Sequence, residues 1–113
     1  MAQIDDLRAY GANVDEGVTR CVGNPDFYLK MVKKAAEDTS IDDLKRAVNE
    51  KDLGQAFEIA HALKGVLANL ALTPVSEPVS EMVELLRSKT DADYSGYLEK
   101  IDTKFKELQN IMQ

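Results

Sequence analysis

The chain has 113 residues, 44% of them hydrophobic and 30% charged, with a formal net charge of -6. So acidic a chain argues against nucleic acid or an anionic membrane as partner, since both reward clustered Lys and Arg, and no apolar run approaches the ~18 residues that would span a bilayer. The opening MAQIDDLRAYG puts acids where a secretion signal needs cations, and the single cysteine, Cys21, excludes an internal disulfide, so the cytoplasm is the expected location.

Apolar residues recur at helical spacing and nowhere alternate as in a strand. A short helix is predicted from about Gln3 to Tyr10, stopped by Gly11. Asn13 then caps a second, with Asp15 and Glu16 in the first turn, where the helix dipole favours anions. Asn24-Pro25 is a start signal, a capping residue followed by proline at the first helical position, and Phe27, Tyr28, Met31, Val32 and Ala35 continue it as an apolar stripe. Thr39-Ser40 marks either a break or a brief irregularity before Ile41, Leu44, Ala47 and Val48. Asp52 caps the next helix, which ends near Leu70. Pro74 to about Ser88 forms another; Pro78 implies either a true start at Ser76 or a bend. Asp91 opens the last helix, whose apolar face carries Tyr94, Leu98, Ile101, Phe105, Leu108 and Met112. These elements predict a single all-α domain over residues 1–113. It is an antiparallel four-helix bundle, with its core at about 24–112 and short additional N-terminal helices at about 3–22. Nothing in the stripes demands a dimer, so a monomer is expected.

The segment EIAHALKGVLANLAL, residues 58–72, holds the only histidine, His61. On a wheel of about 100° per residue, Ile59, Leu63, Val66 and Leu70 form the core face, with Ala56 and Leu67 at its margin. His61 falls opposite, among Gly54, Phe57, Glu58, Lys64, Gly65 and Ala68, and projects into solvent. A lone histidine is usually a surface or core residue without a task. Gly65 argues otherwise, since a mid-helix glycine costs roughly 1 kcal/mol and is retained where something must come close.

At these residues the chain resembles the histidine phosphotransfer (HPt) domains. AHALKG, Ala60 to Gly65, is similar to that family's A-H-x-L-K-G signature. Upstream, GNPDFYLKMV (Gly23 to Val32) is similar to its glycine-asparagine turn and first bundle helix, and Asp52 matches its helix-opening aspartate. The chain departs from the pattern at Leu67, where a small or hydroxyl residue is common, and at Ala71, where a glycine is; neither touches His61, and Ala71 is expected to cost little.

The resemblance implies that His61 accepts a phosphoryl group from the aspartyl phosphate of a receiver domain and gives it to another receiver. Neutral imidazole, with an unperturbed pKa near 6.5, is a nucleophile at cytoplasmic pH. Lys64, one turn on, screens the phosphoryl charge, and Gly65 gives the receiver clearance. The implied partners are response-regulator receiver domains and a hybrid sensor kinase. The chain has no G-x-x-x-x-G-K-[ST] loop for ATP, so no cofactor is expected, and Mg2+ belongs to the receiver. Glu58 either reaches a ring nitrogen and fixes the tautomer or is an ordinary solvated acid. Phe57 is either covered by the N-terminal helices or forms a receiver-docking patch with Ala68 and Leu72. Two rivals remain. A non-catalytic adaptor bundle would keep the fold without the activity, although the His61, Lys64 and Gly65 trio argues against it. A di-iron bundle, suggested by Glu58-x-x-His61, would need a second such motif and further glutamates, all inward.

Overall fold

A helix start leaves four backbone donors unpaired, and this sequence supplies replacements for them at three starts. Asn13, Asn24 and Asp52 each accept a hydrogen bond from the backbone N–H three residues on. The computed structural model describes residues 2–113. Among them the helices are α1 (Ala2–Tyr10), α2 (Val14–Arg20), α3 (Pro25–Ala36), α4 (Ser40–Asn49), α5 (Leu53–Asn69), α6 (Thr73–Arg87) and α7 (Ser95–Met112), and there is no strand. None is long and apolar enough to cross a membrane.

The architecture is an all-helical bundle about 43 Å long. Its walls are the α3–α4 segment, α5, α6 and α7, each packed on the next, with α3 closing the ring against α7. The connections between α4 and α5 and between α5 and α6 are only a few residues long, so those neighbours run antiparallel. Gln109 donates to the Ala36 carbonyl at 3.0 Å, and Lys45 reaches Asp102 at 2.7 Å, so both α3 and α4 are tied to α7. Hydrogen bonds from Lys45 and Lys106 hold the Asp102 carboxyl below its ordinary value of 3.8. Helix α1 lies on α7, where the Tyr10 hydroxyl donates to the Lys104 carbonyl at 2.8 Å.

The break at Thr39-Ser40 is real. Other expectations are corrected. Helix α6 runs Thr73–Arg87, close to the expected Pro74 to Ser88, and of the two alternatives raised by Pro78 the later start at Ser76 does not hold. Pro78 lies buried inside it, where its missing N–H leaves the Pro74 carbonyl without its usual donor. Helix α7 begins at Ser95 instead of near Asp91. The Asp93 carboxylate accepts from the Ser95 backbone N–H at 2.9 Å, a turn-forming contact that competes with an earlier start. Tyr94 is therefore a buried cap residue. Ala71 adopts φ +55° in the turn after α5, a conformation that favours glycine. The alanine there carries a strain of about 1 kcal/mol, where only a small cost was expected.

Three carbonyls at the end of α5 are captured by the N-terminal third of the chain. Arg20 donates to Ala68, buried Tyr28 to Leu70 and the Asn13 backbone N–H to Ala71. Burial pushes the Tyr28 phenol up to about 12. Gly17 makes this closure possible, because a Cβ there would meet the Tyr28 ring at 2.3 Å and the Leu70 carbonyl at 2.8 Å. We expect Gly17→Ala to lower stability by about 1–3 kcal/mol, overpacking outweighing the better helix propensity. Urea denaturation checks it; an unchanged or higher midpoint would mean that α2 does not pack so closely.

Candidate functional site

Helix α5 buries Ala56, Ala60, Leu63 and Leu67 in a line between α4 and α6. The predicted core face is therefore rotated. Val66 is 46% exposed and Ile59 only half-buried, while Ala56 and Ala60 are fully covered. Small residues set the closest helix approach, so alanines take the centre that hydropathy alone gives to larger side chains. The rotation leaves His61 where it was expected, exposed on the outer side of mid-α5.

Around the imidazole the structure brings together some predicted residues and separates others. Lys64 is half-buried one turn on and forms no ion pair among the described residues. Gly65 is exposed, and a Cβ built on it would meet nothing within 4 Å. Its own chain thus gives no reason for the missing side chain. Ala68 is exposed, and its carbonyl accepts from Arg20 at 2.7 Å. Leu72 is corrected. It is 0% exposed, packed in the core at the start of α6, and presents no surface to a partner. Glu58 is exposed and makes no hydrogen bond to the imidazole among the described residues, so the expected tautomer-fixing contact is absent.

What does touch the imidazole is Phe57. The two rings stack with centroids 5.5 Å apart and planes 23° from parallel. Phe57 is half-buried against the core, and the Arg87 guanidinium carbon lies 5.2 Å from its ring centroid. Both contacts come from α5 itself and the end of α6, while the ring keeps part of its surface exposed. Sequence reasoning missed Arg87. The signal was available, since in an antiparallel pair hinged at residues 70–72, positions equally far from the hinge face each other, and Phe57 and Arg87 nearly do.

A groove of about 610 Å3 between α3 and α5 begins at Gly65 and is lined by Val66, Asn69, Met31, Lys34 and Ala35, among others. It too went unforeseen, because the wheel placed Val66 in the core. Among the described residues no three of His, Cys, Asp and Glu lie together as metal ligands would.

The family model for the Hpt domain matches residues 28–111, most of the chain and all of the site. No curated protein compared with the chain matches it. No solved structure does either.

Proposed function

Since the chain belongs to the Hpt domain family, which works in histidine phosphotransfer, we propose that His61 is the phosphoacceptor of a phosphorelay, loaded by one receiver domain and unloaded by another. The observation that carries this is an exposed imidazole in mid-α5, followed one turn on by an open glycine and by a lysine that forms no ion pair among the described residues. The unprotonated ring nitrogen attacks phosphorus with its lone pair. The P–N bond forms as the acyl-phosphate P–O bond breaks, the aspartate leaves with the electron pair, and the other ring nitrogen keeps its proton. Lys64 offsets the arriving charge as a mobile cation. Transfer of this kind depends on positioning and charge stabilisation, with little covalent work for the protein.

The receiver, a response regulator or the receiver of a hybrid sensor kinase, docks over Gly65 and Ala68. It reaches into the groove beside Val66, whose exposed side chain offers apolar contact on the same flank. It brings the Mg2+ that its own aspartate chemistry uses. On this reading the chain is a cytoplasmic, monomeric carrier of phosphoryl groups, and transfer between receivers needs no ATP-binding loop of its own.

The test is a transfer assay against phosphorylated receivers from the same cell, with wild type and Lys64→Ala side by side. Wild type is expected to take label from at least one receiver, and Lys64→Ala to take it roughly tenfold more slowly, the scale of one charge-assisted contact. Binding of receivers without any transfer would favour the adaptor reading instead.

A further inference from the structure

Given the phosphoacceptor role proposed above for His61, a receiver must seat its aspartyl phosphate against mid-α5, and its footprint extends past the imidazole. Even a small transient interface covers about 600 Å2 per partner, a disc of roughly 14 Å radius. Ala68 returns to within about 20° of the His61 side of the helix, only about 10.5 Å further along the axis. Arg20, the last residue of α2, occupies that point. Its guanidinium donates to the Ala68 carbonyl at 2.7 Å and to the Glu16 carboxylate, which Asn13 holds in turn at 3.1 Å.

Helix α5 does not need this bond to close its end. The Ala68 carbonyl already accepts from the Ala71 backbone N–H at 2.9 Å. The guanidinium still has N–H groups to spare, and its side chain keeps 42% of its surface exposed. Its exposed pairing with Glu16 is weak and leaves it able to share a second carboxylate, while the two contacts fix its place and lower the entropy lost on binding. Val22, within about 7 Å of Arg20 along the chain, is 86% exposed and holds φ +52°. A β-branched residue rarely accepts that conformation, and so exposed a side chain gives the fold little burial to offset it.

We infer that the corner between α2 and α3, Arg20 with Val22 beside it, is a receiver-recognition point separate from the phosphoryl site. Arg20 takes a carboxylate on a loop rimming the receiver's active site, and Val22 takes an apolar side chain next to it. The aspartyl phosphate and the acids that hold Mg2+ make that mouth anionic, so its field favours a fixed cation at the edge of the contact. The corner lies outside the matched residues 28–111. A charge at the rim sets encounter rate and partner choice, which is how this corner distinguishes one receiver from another.

Two donors separate recognition from chemistry: a phosphorylated receiver, which must dock, and phosphoramidate, which needs no docking surface. The ratio of receiver-driven to phosphoramidate-driven labelling is expected to fall about tenfold in Arg20→Ala and further in Arg20→Glu, chiefly through a higher KM for the receiver. Raised salt should narrow the gap between wild type and variant, since an exposed charge contact is screened. Val22→Gly, which suits the left-handed backbone, should raise that KM several-fold while its melting temperature holds or rises. A wild-type ratio in both Arg20 variants, with every receiver that labels the wild type, would overturn the inference and leave Arg20 as a staple between α2 and α5. A defect of the same size with both donors would overturn it too. Failure of wild type to accept phosphate from either donor would instead remove the phosphoacceptor role itself, and that control tells the two failures apart.

Discussion

Replacing His61 by glutamine is expected to abolish phosphoryl acceptance altogether while leaving the helix in place. The side chain is exposed and takes no part in the buried line of α5, so its loss should move stability by less than about 0.5 kcal/mol. Glutamine is also among the better helix formers, which removes backbone propensity as a confounding cause. What disappears is the ring nitrogen with an available lone pair, since an amide nitrogen delocalises its own into the carbonyl. Incubation with a phosphorylated receiver, followed by a count of retained label and a thermal melt of the same sample, separates chemistry from folding. Label above background on the variant would put the acceptor elsewhere. A large fall in melting temperature would mean that the imidazole is structural.

Gly65 gives the second large effect, in two opposite directions. Because a Cβ there meets nothing in the chain, Gly65→Ala should stabilise the protein by roughly 0.5–1 kcal/mol, the ordinary gain from removing a mid-helix glycine. The same substitution narrows the space above the helix that a receiver must occupy, and Gly65→Gln narrows it further. Transfer from a phosphorylated receiver should fall several-fold in the first variant and more than tenfold in the second, because small misplacements of reacting groups are costly. A more stable protein that transfers worse is a signature that no folding defect can imitate. Unimpaired transfer in Gly65→Gln would show that the receiver does not pass over this point.

Three of the helix starts were legible because they are written locally. Asn13, Asn24 and Asp52 cap where their chemistry says they should, and Pro25 follows in the first turn of α3. His61, Lys64 and Gly65 were legible for a related reason, being neighbours on one helix whose mutual placement needs only the 3.6-residue period. Properties that depend on a second helix were not legible. The core face of α5 is turned toward Ala56 and Ala60 because α4 and α6 press there, and hydropathy knows nothing of that pressure. Leu72 looked like surface when the wheel was run past the end of α5, yet the chain turns at Leu70 and takes Leu72 into the core. Arg87 meets Phe57 only once α6 has folded back along α5. Pro78 shows the limit of a local rule, since a proline that should open or bend a helix is carried inside α6 with its ring buried.

The most direct measurement is to locate the phosphoryl group itself. Wild-type protein is incubated with a phosphorylated receiver, and the label is characterised by its acid and alkali stability and by mass spectrometry of the proteolytic fragment spanning residues 58–72. The account requires one phosphoryl per chain, labile to acid, stable to alkali and attached to His61. Label on a hydroxyl or carboxyl side chain, or a receiver that binds and keeps all its phosphate, would contradict it.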